Sequence, residues 1–347
     1  MTTPAISHGL VLVTGGSGYI AGFCIAQLLQ GGWRVRTTIR SLAKAEQVRA
    51  SVGKIGAEPT AIEFVKADLN SDEGWDQAVA GADYVLHVAS PVPLVNPKSD
   101  DELVRPARDG ALRVLKAARD AGVKRVVLTS SIAAIVYGRG TRATPFTESD
   151  WTDETNRADS SSYDRSKTIA ERAAWAWHGV EGGALELVAI NPSFVIGPVV
   201  SSDVPASLNV VKKLLDGSIP GLAAFGFPLV DVRDIARLHI LAMTASSAAS
   251  QRFIGSGDFF WMKDIASILK QGLGEKARKV PTLVLPDILV RAFAIFDPVA
   301  RARLYDLGKE RRLSSDKARQ TLGWTTRPAS ESILAAARSL QAEGIIP

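Results

Sequence analysis

Leu10-Val-Leu-Val-Thr14-Gly15-Gly-Ser17-Gly18-Tyr19-Ile20-Ala21 decides the fold. Its first four residues form an unbroken apolar run, as expected of a strand buried on both faces of a parallel sheet. The glycine turn follows, and a helical pattern then continues through Leu29 to Gly31-Gly32. Glycines alone carry little weight. Placed between a strand and a helix, they make a dinucleotide fingerprint. Gly15 permits the tight turn, and Gly18 lets a pyrophosphate approach the helix N-terminus, whose free N–H groups favour anions. Gly15, Ser17, Gly18, Tyr19 and Ile20 are therefore candidate cofactor residues.

Moving outward, Arg34 to Ile39 alternates as a second strand and ends at Arg40. An acid about 20 residues beyond the glycines would hold a ribose 2′-hydroxyl. The chain instead carries Arg40 and Lys44, with no acid before Glu46, which suits a 2′-phosphate and predicts NADP(H). Ile62 to Val65 is a third strand leading to Asp68-Leu69, where Asp68 could lie beside an adenine ring or cap the next helix. Asp83 to Ser90 is a fourth strand, whose end at Val88-Ala89-Ser90 should pass under the pyrophosphate and ribose. His87 within it reads as a core histidine. The apolar, proline-rich loop Pro91 to Pro97 would wall a substrate pocket. A helix from about Asp101 to Ala121 places Leu103, Ala107, Ala111, Val114, Leu115 and Ala118 on one stripe and stops at Gly122. Lys124 to Leu128 is a fifth strand, closing on Thr129-Ser130-Ser131. This alternation predicts an α/β, Rossmann-type, doubly wound parallel sheet, with ligands beyond the carboxyl ends of its strands. Gly15, Asp68, Ser90 and Ser131 all fall at such ends.

Tyr163-Asp-Arg-Ser-Lys167 supplies the chemistry. Four residues apart at the head of a helix, the phenol and the ammonium share one face. Tyr163 can protonate an oxygen that becomes negative, and the Lys167 charge can lower the phenol pKa.

Composition bounds the remainder. The chain has 347 residues, is 46% hydrophobic and 22% charged, and carries a net charge of +5. These values suit a soluble enzyme with one large core or two moderate ones. Basic residues are scattered, so nucleic acid is not an expected partner. Met1 to Gly9 does not read as a signal peptide, and no run reaches the roughly 18 apolar residues of a membrane span. Val280 to Phe296, broken by Pro281, Pro286, Asp287 and Arg291, reads as a buried or substrate-covering helix. Cys24 stands alone among Ile20, Phe23 and Leu28 as a buried filler, compatible with a cytoplasmic location. No metal site is assigned.

These motifs, with the later Asn191-Pro192-Ser193, make the chain resemble the extended short-chain dehydrogenase/reductase family over nearly its whole length. Within that family it is similar to dihydroflavonol and cinnamoyl-CoA reductases, and especially to their microbial branch of NADPH-dependent aldehyde and ketone reductases. Ala21, Leu322-Gly-Trp324 and the ending Ala342-Glu-Gly-Ile-Ile-Pro347 support that branch. The resemblance implies a catalytic set of Ser131, Tyr163 and Lys167. Ser131 would hold the substrate oxygen, Tyr163 protonate it, and Lys167 bind the nicotinamide ribose and keep Tyr163 acidic. Strand alternation turns Ser130 the other way. The resemblance also places backbone from Pro192 through Ser193 to Val195 beside the nicotinamide.

Two departures shape the substrate expectation. Ser160-Ser-Ser-Tyr163 replaces the cinnamoyl-CoA reductase signature, and Ile132-Ala-Ala-Ile135 offers no polar group to a flavonoid. A hydrophobic aldehyde or ketone is expected instead.

Ala184 to Ile190 and Gln251 to Ser256 read as further strands of the sheet. The nucleotide domain takes residues 1–198 and about 227–262. A discontinuous substrate lobe takes about 199–226 and 263–347. Pro93, Leu94, Val199, Phe225 and Phe227 are pocket candidates, whereas Asp231 and Asp234 should cap or pair locally. Trp175 and Trp177 suit core or dimer packing, so the chain is expected to be a monomer or a homodimer. The alternatives are a sugar-nucleotide epimerase, a hydroxysteroid or other secondary-alcohol dehydrogenase, and a non-enzymatic dinucleotide sensor. Arg40 argues against the epimerase, and retention of Tyr163 and Lys167 argues against the sensor.

Overall fold

The computed structural model describes residues 8–90, 100–296, 301 and 303–346. Within them the strands are β1 (His8–Val13), β2 (Trp33–Ile39), β3 (Ile62–Lys66), β4 (Tyr84–His87), β5 (Arg125–Thr129), β6 (Glu186–Pro192), β7 (Phe194–Ile196), β8 (Gly226–Asp231), β9 (Arg252–Gly255) and β10 (Phe259–Trp261). The helices are α1 (Tyr19–Gln30), α2 (Ala45–Lys54), α3 (Trp75–Val79), α4 (Asp101–Asp120), α5 (Ser162–Glu181), α6 (Asn209–Asp216), α7 (Val232–Thr244), α8 (Met262–Leu273), α9 (Asp287–Phe293), α10 (Asp316–Leu322) and α11 (Ala329–Ala342). Seven parallel strands form the main sheet in the order β3-β2-β1-β4-β5-β6-β9. The winding reverses between β1 and β4, the crevice where an open α/β sheet takes its ligand.

Strand alternation builds the layers. Val11 and Val13 pack with Cys24 and Leu28 of α1 and Ile235 and Leu238 of α7. Leu10 and Leu12 face the opposite layer, with Trp75 of α3, Val114 and Leu115 of α4, and Ala174 and Trp177 of α5. Leu12 is fully buried, and truncating such a residue to Ala costs about 2–5 kcal/mol. Both helix layers are thus pinned by one alternating strand. The tryptophan pair is absorbed here: Trp177 is core and Trp175 packs against it.

A third apolar core draws Ile196, Leu214, Leu229, Ile265, Leu269, Ile333 and Leu340 from distant parts of the chain. It includes a small sheet, β10-β8-β7, that the sequence reading does not contain. Ala318 of α10 and Trp324 pack instead with the main-sheet core. The segment Val280 to Phe296 also differs from expectation. Its prolines leave only the seven-residue α9, and just Val290 and Ala294 of that stretch's second half are buried, while Ile288, Leu289, Phe293 and Phe296 are exposed. Among the described residues, no helix is long and apolar enough to cross a membrane.

Candidate active site

The glycine turn is shaped by its neighbours. Gly15 adopts φ +71°, and a Cβ there would lie 2.9 Å from the Ala89 methyl carbon. The Gly18 N–H donates to the Gly15 carbonyl at 2.8 Å. Thr14 binds the turn to β4: its Oγ1 accepts from the Ala89 N–H and lies 2.9 Å from His87 Nδ1. His87 is a core histidine, as the sequence suggests; burial lowers its pKa to about 3. The first turn of α1 carries no acid and no side-chain cap, so its N–H groups stay open to an anion. Ser17 and Gly18 are exposed, whereas Tyr19 and Ile20 are half-buried. A cavity of about 220 Å³ opens beside Gly16 to Tyr19 and is bounded by Gln47 and Ser51 of α2 and by Val199 to Pro205.

Arg40 and Lys44 stand exposed just past β2, and among the described residues neither side chain has a partner. Asp68 closes a local turn, accepting from the Asn70 N–H at 2.9 Å. It does not cap α3, whose N-cap is Gly74. Leu69, Val88, Ala89 and Ser90 are half-buried at the same sheet edge. Pro192 and Ser193 are buried at the end of β6, Val195 is half-buried, and among the described residues the buried Ser193 Oγ has no hydrogen-bond partner. Open helix N–H groups, free cations and an orphaned hydroxyl fit a phosphorylated dinucleotide laid across this edge.

Two of the candidate catalytic side chains, Tyr163 and Lys167, lie in the first turns of α5. Ser161 caps that helix reciprocally: its Oγ accepts from the Asp164 N–H at 3.2 Å, and Asp164 Oδ2 accepts from the Ser161 N–H at 2.8 Å. Ser-x-x-Asp is a capping box visible in the sequence but missed there. Asp100 clamps the same turn. Its carboxylate accepts from Arg165 Nε at 2.9 Å and Nη2 at 2.7 Å, and from Ser162 Oγ at 2.6 Å. Tyr163 lies between these two locks. The Ser131 hydroxyl accepts from the Ala133 N–H at 3.1 Å and lies near enough to the Tyr163 hydroxyl to draw its pKa down, while Ser130 turns away and donates to Glu171 Oε2 at 2.5 Å. Alternation therefore assigns the two serines as expected.

Lys167 lies one turn further along α5. Its Nζ donates to Ser90 Oγ at 2.8 Å and stands 5.8 Å from the Tyr163 ring centre. Burial draws the ammonium down to about 8, and the Glu171 carboxylate opposes that fall.

The expectation that Lys167 acidifies Tyr163 needs correcting. The phenol is raised, chiefly by loss of solvation, although the residue as a whole is 40% exposed. The groups that pull it down are Ser131, through its hydroxyl, and Arg303, by charge. The Lys167 ammonium is committed to Ser90 instead.

Arg303 is a missed residue. It arrives with a C-terminal segment whose Tyr305 hydroxyl donates to Asp164 at 3.1 Å, a long-range contact with no local signature. Among the pocket candidates, Pro93 and Leu94, with the loop Pro91 to Pro97, lie outside the described residues. Val199 is core, whereas Phe225 and Phe227 are half-buried against the third core. Asp231 caps α7 and pairs with Arg233, and Asp234 pairs with Arg327, local roles as expected.

Residues 11–254 match the family model described as NAD dependent epimerase/dehydratase family. Tetraketide alpha-pyrone reductase 1 of Arabidopsis thaliana is 34% identical over 286 residues, 81% of this chain and 84% of that protein. Dihydroflavonol 4-reductase of Zea mays is 29% identical over 351 residues, 99% of this chain and 91% of its own. Among solved structures, yeast methylglyoxal/isovaleraldehyde reductase complexed with NADPH superposes with a TM-score of 0.78 at 26% identity, covering 97% of this chain and all of the other.

Proposed function

The chain belongs to the NAD dependent epimerase/dehydratase family, the extended short-chain dehydrogenase/reductases, as an NAD(P)-dependent oxidoreductase; from that premise we propose that it is an NADP(H)-dependent carbonyl reductase acting reversibly on a hydrophobic aldehyde or ketone. One observation supports this reading most: Ser131 lies near enough to Tyr163 to lower its pKa, and Lys167, one helical turn further along, donates to Ser90 at the end of the β4 segment. Arg40 and Lys44, without side-chain partners among the described residues, would hold the 2′-phosphate. Gly15, Ser17, Gly18, Tyr19 and Ile20 would seat the pyrophosphate. Asp68 and Leu69 would border the adenine, and Val88 to Ser90 the ribose. Pro192, Ser193 and Val195 would meet the nicotinamide. When bound, the cofactor supplies the hydride.

The chain's own residues supply position and a proton. Ser131 donates a hydrogen bond to the substrate carbonyl oxygen, and that oxygen takes a proton from Tyr163 as negative charge develops on it. Lys167 binds the ribose hydroxyls through its remaining N–H groups, next to Ser90. The partly buried Ile132 next to Ser131 and the half-buried phenylalanines of the third core would give the pocket an apolar lining, which favours a hydrophobic substrate. The two-lobe division, with the substrate lobe at about 199–226 and 263–347, is part of the same proposal.

Aldehydes, ketones and secondary alcohols assayed with NADPH and NADH test the substrate class. The expected outcome is NADPH-linked reduction of apolar carbonyl compounds. Tyr163→Phe should abolish turnover and leave NADPH binding nearly unchanged. Turnover of that variant at the parent rate would remove Tyr163 from the chemistry.

A further inference from the structure

Glu171 has no part in the chemistry above, yet it is more completely enclosed than any reacting group. It follows Lys167 by four residues on α5, so the two side chains share a helix face, and its side chain is fully buried. Both carboxylate oxygens are used. Oε2 accepts from Ser130 Oγ at 2.5 Å and from Asn191 Nδ2 at 2.7 Å, while Oε1 accepts from Arg252 Nε at 2.6 Å and Trp175 Nε1 at 3.3 Å. The same Asn191 amide donates to the Ser131 carbonyl at 3.0 Å. One carboxylate therefore ties the ends of β5 and β6 to the start of β9 directly behind the reacting serine. An apolar pair would hold such a site at least as well, so a buried charge beside the lysine calls for a reason beyond packing.

We propose that Glu171 is a positioning residue whose charge keeps Lys167 cationic and whose hydrogen bonds hold Ser131 against Tyr163. The inference rests on the roles of Ser131, Tyr163 and Lys167 proposed above. Lys167 and Glu171 line one small cavity of about 20 Å³ with His87, Ser90 and Ser130, and α4 contributes only Ala107 and Ala111 to it. The titratable and charged groups facing Lys167 are thus Tyr163 and Glu171 from α5, His87 from β4, held neutral by burial, and Arg252 of β9 behind Glu171. Arg252 is itself held by the Glu148 and Asp150 carbonyls and stacked 3.7 Å from the Trp151 ring centre. Removing the Glu171 charge leaves burial and Arg252 acting together against the ammonium. Lys167 then loses its proton at a lower pH.

The test uses the full chain, Glu171→Gln, the double variant Glu171→Gln with Arg252→Met, and Tyr163→Phe. NADPH binding is followed by coenzyme fluorescence without substrate across pH, alongside kcat/KM for a reducible aldehyde. Glu171→Gln should move the alkaline limb of both profiles down by about one pH unit. The double variant, free of the unpaired arginine, should lie between it and the parent. It also carries the test if the single variant does not fold. Lowered amplitude with the limb unmoved in the folded variants would reduce Glu171 to a structural role and overturn the proposal. Failure of the catalytic reading shows separately, as Tyr163→Phe turning over at the parent rate, while the fluorescence limb still reports on Glu171.

Discussion

Asp100→Asn keeps the side-chain volume and removes the charge that clamps α4 to the catalytic turn of α5. Arg165 holds the Asp100 carboxyl down from near 3.8 to about 2, with help from Ser162 and from Arg157 at 3.2 Å. At 1.36 kcal/mol per pH unit, that fall corresponds to about 2.5 kcal/mol. The carboxylate sits near the rim, with 23% of its side chain exposed, so screening reduces the figure to about 1 kcal/mol. Taken from the other partner, hydrogen bonds to a charged group contribute about 1.5–3 kcal/mol, and Arg165 is 9% exposed. The two routes bracket about 2 kcal/mol. With about 2.1 cal/mol/K per residue over 347 residues, the melting temperature should drop by about 3 °C. The sign is set by a depressed carboxylate: its stabilisation is full above about pH 4 and is lost as pH falls through about 2. Thermal melts of parent and variant at neutral pH should therefore differ, and the gap should close in strong acid. Because Ser162 and Arg165 flank Tyr163, kcat should fall more than NADPH affinity. A variant melting within a degree of the parent at neutral pH, or a gap that persists at about pH 2, would refute the clamp.

Three further outcomes are expected. Arg40→Asp should weaken NADPH at least tenfold more than NADH, since a charge-assisted bond contributes about 1.5–3 kcal/mol; fluorescence titrations showing equal loss for both would contradict the 2′-phosphate assignment. Gly15→Ala should lower both the melting temperature and NADPH affinity, because a left-handed alanine costs about 1–2 kcal/mol and its methyl would press on Ala89; parent-like coenzyme binding would argue against this turn as the seat. His87 and His239 are buried, with pKa values drawn from 6.5 to about 3 and about 4 by desolvation. The stability they confer is present above about pH 6.5 and is lost toward pH 4 at about 1.4 kcal/mol per unit for each ring. Asp164, raised to about 6 by burial, opposes this in part. Urea unfolding should show a net loss of about 2–3 kcal/mol between pH 6.5 and about 5; a flat profile would contradict neutral buried rings.

The legible parts of this chain are those whose signal is local. An unbroken apolar run and a glycine turn identify β1 and α1, and period-two alternation separates Ser130 from Ser131. The four-residue spacing puts Tyr163 and Lys167 on one face. The sheet β10-β8-β7 was not legible because its strands are three to six residues long and half-buried in part, and they include Gly226 and Pro228. No periodicity survives in elements so short. The contacts around Arg303 were hidden for a different reason. Tyr305 meets Asp164 across 141 positions and Arg311 meets Asp159 across 152. Charge pairing over such distances leaves nothing for a single sequence to display.

That hidden segment changes how the acidity of Tyr163 should be understood. Read from spacing alone, Lys167 is the cation that tunes the phenol. In the structure, Ser90 engages Lys167 and Glu171 backs it, while the cation pulling on the phenol comes from Arg303, more than half exposed and only 4.0 Å from Asp306. The two cations therefore divide the work. The buried one is held by Ser90 and backed by Glu171, and suits a fixed ligand contact. The exposed one is loosely paired, and its charge reaches the Tyr163 hydroxyl. Against Arg303, burial keeps the phenol above its ordinary range, which favours the hydroxyl that carries its proton. A phenol in that form gives a proton and cannot accept one. That direction suits the proposed role of Tyr163 as the proton donor in carbonyl reduction.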